Sequence, residues 1–218
     1  MTPCRTLLAL AALAAAAPSF ATIPLTIDFE AATSFTPVLN TYAATGATFS
    51  DSALALSNDA LGPYFSNAPT PGTSDPFAGT VMFVDPASAN AWLNIAGGSF
   101  ASPLTGFINE VSLDFASTVN AFSVVQIFAG LNGTGQRLGK IGLGENQIDS
   151  NCSSSAFCNW QNITLTFQGT AQSLVFSSNG GNIAFDNIRV TAVPEPKTYA
   201  MLLAGLAAVG FMARRRRD

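Results

Sequence analysis

Glu110-Val111-Ser112-Leu113-Asp114-Phe115 is the stretch on which the fold turns. Val111, Leu113 and Phe115 fall on one side of an extended chain, and Glu110, Ser112 and Asp114 on the other. That is the period of a half-buried strand and not of a helix. Upstream, Leu25, Ile27 and Phe29 alternate in the same way with Thr26, Asp28 and Glu30. Downstream, Ile163, Leu165 and Phe167 alternate with Thr164 and Thr166, and Ile183-Ala184-Phe185-Asp186-Asn187-Ile188-Arg189-Val190 closes the series.

Shorter β-prone pieces fill the intervals: residues 47–50, 53–57, 81–84, 91–95, 121–129, 137–141 and 173–177. Val81 to Val84 and Ala91 to Ile95, split by Asp85-Pro86, read as one hairpin. Residues 121–129 read as the pairing partner of 110–115. Asn132-Gly133 supplies a turn into 137–141, and the surrounding Gly130-Leu131-Asn132-Gly133-Thr134-Gly135 reads as hairpin loop, because it lacks the lysine and helix of a phosphate-binding loop. Residues 57–80, with Pro63, Pro69, Pro71, Gly72 and Pro76, read as a long loop. The pattern predicts an all-β fold, an antiparallel β-sandwich of jelly-roll type.

The ends follow different rules. Residues 1–21 carry Arg5, an apolar run from Leu7 to Ala17 and the small-x-small sequence Ser19-Phe20-Ala21, which predicts a secretory signal peptide. Residues 22–192 are then the exported domain. Between residues 22 and 193, eleven Asp and Glu face only Arg137, Lys140 and Arg189, a balance of −8. So acidic a surface argues against nucleic acid, which needs clustered Lys and Arg. Cys152 and Cys158 form an even pair in an exported chain, so we expect a disulfide closing a small loop, worth about 2 kcal/mol by loop entropy.

Residues 193–218 are read as a signal and not as fold. Val193-Pro194-Glu195-Pro196 leads into an uncharged apolar run, 198–213, which ends at Arg214, Arg215, Arg216 and Arg217. As a helix the run would be about 24 Å long, against about 30 Å of hydrocarbon, a shortfall that snorkelling arginines cover. A C-terminal transmembrane helix is therefore expected, with its arginines in the cytoplasm and residues 22–192 outside. The order Pro-Glu-Pro, short apolar helix, Arg cluster resembles the PEP-CTERM sorting signal of exopolysaccharide-producing Gram-negative bacteria. The resemblance implies processing by an exosortase-type membrane enzyme, transient contact with the inner membrane, and delivery to the cell envelope, surface or extracellular matrix. The strand pattern around 27–30, 111–115 and 183–188 also looks like the jelly-roll domains of many such proteins, which in turn resemble carbohydrate-binding modules.

Histidine is absent from the chain. That removes Ser-His-Asp and Cys-His catalysis and His-ligated metals. The carboxylate pairs Asp28/Glu30 and Glu110/Asp114 share the outward face of their strands, where solvated surface is the expected role rather than glycoside hydrolysis. The protein is expected to be non-catalytic. Sugar stacking needs exposed aromatic rings: Trp92, Trp160, Tyr42, Tyr64 and Phe65 are the candidates, with Tyr64 and Phe65 in the long loop and Trp160 after the cysteines best placed to be exposed, while Trp92 could as easily be core. If the first and last strands lie side by side, Asp28, Glu30 and Asp186 supply hard oxygen donors suited to calcium, and the resemblance implies a structural calcium there.

Overall fold

In the computed structural model residues 22–57, 79–99, 103–146, 157, 159–195 and 205–206 are described. Among them are eleven strands: β1 Ile23–Ile27, β2 Ala47–Phe49, β3 Ala53–Ser57, β4 Thr80–Val84, β5 Asn90–Ile95, β6 Leu104–Ser117, β7 Ala121–Phe128, β8 Arg137–Leu143, β9 Gln161–Ala171, β10 Ser173–Ser177 and β11 Ile183–Pro194. They form two antiparallel sheets. Sheet A runs β3-β4-β11-β6-β9, with β1 also on β11; sheet B runs β2-β5-β10-β7-β8. The inward halves of both alternations bury one core, including Leu25, Ile27, Val111, Leu113 and Phe115 of sheet A and Leu93, Ile127, Leu174 and Phe176 of sheet B. Each such side chain removed from water contributes about 1.5–3 kcal/mol. Phe176 and Phe185 meet edge to face across the sandwich at 4.9 Å.

Two expected pairings are wrong. β4 and β5 are not a hairpin, and β6 does not pair with β7: in each case the two strands belong to opposite sheets. The cause is general. Neighbours that pair within one sheet and neighbours that face each other across a core bury the same alternate residues, so the period cannot distinguish them. The β7–β8 hairpin does form. Its loop contains a short 3-10 turn, Leu131–Gly133, in which Asn132 adopts φ 55° and Gly133 φ 70°. β6 extends to fourteen residues, well beyond its clean alternation. Bulges at Ile108/Glu110 on its β9 side change the phase, which hides the continuity from a period count.

β11 organises sheet A. On one side it pairs with β6 along its length. On the other it is shared end to end: β4 takes Ala184 and Phe185, and β1 takes Ile188 to Ala192. A bulge between Asp186 and Arg189 separates the two halves, with Asn187 at φ 48°. The first strand therefore lies beside the last, and Ile23 is opposite Ala192.

The expected C-terminal membrane helix falls outside the described residues except for Gly205 and Leu206, which are helical. No helix among the described residues is long and apolar enough to cross a membrane.

Candidate functional site

The seam where β11 passes from β4 to β1 gathers four carboxylates, Asp28, Glu30, Asp114 and Asp186. β1 ends at Ile27 opposite Ile188, so Asp28 and Glu30 leave the sheet where β4 enters it. Glu30 turns back across the gap, and its Oε1 accepts the Thr80 backbone N–H at 3.0 Å. Gly79 leaves room for this: a Cβ there would collide with the Glu30 carboxylate. Asp28 Oδ1 accepts the Glu30 N–H at 3.3 Å and lies 3.5 Å from the Tyr42 hydroxyl. Tyr42 is packed edge-on against Phe29 and Phe49, and burial pushes its phenol well above the usual range.

Across β11 the register sets Asp186 directly opposite Asp114 of β6, and Asp114 opposite Asn162 of β9. This polar row lies on the outer side of sheet A, yet Asp186 is only 1% exposed and Asp114 5%. The expectation that Asp114 is solvated strand surface is therefore corrected. Its Oδ1 accepts Asn162 Nδ2 at 2.7 Å and its Oδ2 meets Arg189 at 3.3 Å, so it is buried with its charge matched. Asp186 has no such cation among the described residues. Its Oδ1 accepts the Asn187 N–H at 2.6 Å, but burial and then the charges of Glu30, Asp114 and Asp28 raise its pKa from the usual 3.8 to about 8. At neutral pH it is mostly protonated. Asn187 Nδ2, on the bulge, is buried and has no hydrogen-bond partner among the described residues.

Asp28, Glu30 and Asp114 all act electrostatically on Asp186, and the role of Asp114 is one that the outward alternation conceals. Convergence on a metal is a different matter. Among the described residues no group of three His, Cys, Asp or Glu side chains is placed to hold a metal ion. Glu30, Asp28 and Asp186 each turn one oxygen to a backbone N–H. Replacing Glu30 by alanine is expected to lower stability by about 1.5–3 kcal/mol, the worth of a hydrogen bond to a charged group, with Glu30→Gln retaining part of it. Urea unfolding of the three proteins measures the difference.

Of the aromatic candidates, Tyr64 and Phe65 lie outside the described residues, as do Cys152 and Cys158. Trp160 is not the free-standing ring that its position after the cysteines suggested. With Phe157 and Leu56 it packs, partly buried, against Val81, Phe83 and Ala184 in a second apolar cluster on the outer side of sheet A. Phe83 and Phe157 stand edge to face at 5.0 Å. Beside them is an apolar cavity of about 300 Å³, lined by Phe35, Leu54, Leu56, Phe83, Pro86 and Phe157 among others. Its lining offers few groups to a sugar hydroxyl. Trp92, in contrast, alternates with the core residues Ala91 and Leu93 and faces outward from sheet B, half-buried.

The tail begins inside the fold. Ala192, Val193 and Pro194 are paired with Phe107, Gly106 and Leu104, and the Glu195 N–H donates to the Pro103 carbonyl at 2.7 Å. Pro196 and Arg214 to Arg217 lie outside the described residues. Residues 192–217 match the PEP-CTERM protein-sorting motif. No curated protein matches the chain. Among solved structures, the K2 cleaved adhesin domain of Lys-gingipain is similar at 16% identity and a TM-score of 0.45, over 78% of this chain and 99% of that one. CBM35 from Paenibacillus barcinonensis is similar at 16% identity and a TM-score of 0.37, over 77% and 98%. A carbohydrate-binding module from Cellvibrio mixtus lichenase 5A, in complex with cellotriose, is similar at 16% identity and a TM-score of 0.33, over 55% and 82%. With its sorting motif continuing the last strand of a two-sheet β-sandwich, the chain is an exported protein bearing a PEP-CTERM signal, which implies processing by an exosortase-type system and delivery to the cell envelope or surface.

Proposed function

We propose that this is a non-catalytic surface or extracellular-matrix protein whose β-sandwich, with jelly-roll connectivity, binds exopolysaccharide after delivery by its C-terminal signal. The observation that carries the reading is the sorting motif at residues 192–217, joined without a linker to a strand of the folded domain. The apolar run 198–213 spans the inner membrane until processing, with the four arginines in the cytoplasm. The charge balance of residues 22–193 fits a partner other than nucleic acid.

Replacing Pro194, Glu195 and Pro196 together by alanine tests the delivery half. The unprocessed, membrane-bound form is expected to accumulate in the native host and the surface-exposed form to disappear, while thermal unfolding of the variant stays close to that of the parent. Unchanged processing and unchanged surface delivery would leave residues 193–218 as a plain membrane anchor. Immunoblotting of fractionated cells reads the outcome.

A further inference from the structure

We propose that the outward face of sheet B is the polysaccharide site and that its ligand is an acidic glycan, one carrying carboxylates on its sugar rings. This rests on the polysaccharide-binding reading above and narrows it. Registers place Trp92 of β5 opposite Val175 of β10, Val175 opposite Gln126 of β7, and Gln126 opposite Lys140 of β8. Directly opposed residues share a face, so these four form one row across four strands, about 14 Å at the usual strand spacing. Arg137 joins the row from β8, where its guanidinium donates to Gln126 Oε1 at 3.1 Å. An indole presents a broad apolar surface with a polar edge, suited to the C–H face of a pyranose. The amide and guanidinium beside it can meet hydroxyls and carboxylates.

One flank of the row is walled, beside Trp92 and over Val175. The loop between β7 and β8 folds back over the sheet: Asn94 Nδ2 donates to Asn132 Oδ1 at 2.7 Å, and the Asn132 N–H donates to Asn94 Oδ1 at 2.8 Å. The Gly133 N–H donates to Ser173 Oγ at 3.0 Å, and Ser173 Oγ donates to the Gly130 carbonyl at 2.6 Å. Gly133 lies so close over Val175 that a Cβ there would come within 2.6 Å of its methyl. The face is thus a preformed step and not a flat sheet.

Charge selects the ligand class. Sheet B strands contain no Asp or Glu, although residues 22–193 carry eleven. Asp51 and Glu145 follow β2 and β8 outside the strands themselves. Of the three cations in that range, Arg189 is paired with Asp114 on sheet A, and the other two are Arg137 and Lys140. An otherwise acidic domain therefore turns two cations and a tryptophan outward on its acid-free sheet. Such a surface attracts an acidic chain and repels little of it.

Affinity electrophoresis of the full chain in detergent, through gels holding polygalacturonate, dextran or polyglutamate, tests the assignment. Polygalacturonate is expected to retard the protein and dextran not to, with retardation weakening as salt rises. Trp92→Ala and the double variant Arg137→Gln/Lys140→Gln are each expected to weaken binding at least ten-fold, and Trp92→Phe to retain most of it. Equal retardation by dextran, lost in Trp92→Ala, would overturn the acidic class and leave polysaccharide binding standing. Retardation by neither glycan would remove both. Equal retardation by polyglutamate, unaffected by Trp92→Ala, would reduce the face to a simple ion exchanger and overturn the site. Should Trp92→Ala fail to fold, the Trp92→Phe and double variants decide.

Discussion

Raising the pH from about 4 to about 8 is expected to destabilise the folded domain, against the common pattern in which ionising acids stabilise a protein. The group responsible is Asp186, whose pKa is about 8 in the fold against 3.8 ordinarily. Between those values the folded state holds a proton that the unfolded state has released. The unfolding free energy therefore falls as pH rises through this window, by an amount on the order of a few kcal/mol. Below the lower value both states are protonated and the dependence on this group vanishes. The groups acting on Asp186 are Glu30, Asp114 and Asp28, with Arg189 neutralising Asp114.

Asp186→Asn keeps the shape and removes the charge. The variant is expected to be more stable than the parent at about pH 8, indistinguishable from it near pH 4, and nearly flat between. Chemical unfolding as a function of pH measures this, and a parent whose stability rises through the window would contradict the assignment. Calcium gives the experiment a second arm. If the cation is held by Asp28, Glu30 and Asp186, it will keep Asp186 ionised, and millimolar calcium will abolish the fall in stability. If it is not, the curve will be unmoved.

Gly106→Ala is expected to be among the most damaging single substitutions in the domain. Gly106 has φ 143°, a conformation that side chains rarely adopt, and a Cβ there would collide with the Ala171 carbonyl of β9. The obstacle is backbone, so no rotamer change relieves it, and β6 and β9 must separate. Backbone strain with a lost ladder contact costs about 2–4 kcal/mol, or roughly 10 °C in melting temperature at this size. Gly106 is also opposite Val193, the second residue of the sorting motif. The same substitution is therefore expected to loosen the seat of the tail, seen as faster amide exchange at Ala192, Val193 and Glu195 than at Ile183–Thr191.

The strands were readable because each carries its period in its own residues. Val111, Leu113 and Phe115 declare a buried face without reference to any other part of the chain. Pairing was not readable in the same way, as β4 with β5 and β6 with β7 demonstrate, since partner choice is settled by which surfaces the whole chain can close. The site divides along the same line. Asp28, Glu30 and Asp186 can be placed near one another because first and last strands often adjoin, whereas the alternation, itself correct, puts Asp114 on the outward side. The outward side of a strand is wet only if nothing lies over it. Trp92 was ambiguous for the opposite reason, because one residue of a six-residue strand does not reveal which side its neighbours bury. A usable signal was present: no Asp or Glu occurs in 121–143, within a chain that is acidic on either side.

The central place of β11 has a mechanical consequence. Were the processed chain held at the surface by its tail, drag on the domain would be balanced by force along that tail and would enter the fold at Pro194. That residue ends a strand with neighbours on both edges, β6 on one and β1 with β4 on the other. Tension along such a strand loads its ladders in shear, so many hydrogen bonds must yield together and not one after another. A sandwich suspended from an edge strand would unzip from its attachment; this one is hung from the middle of its sheet.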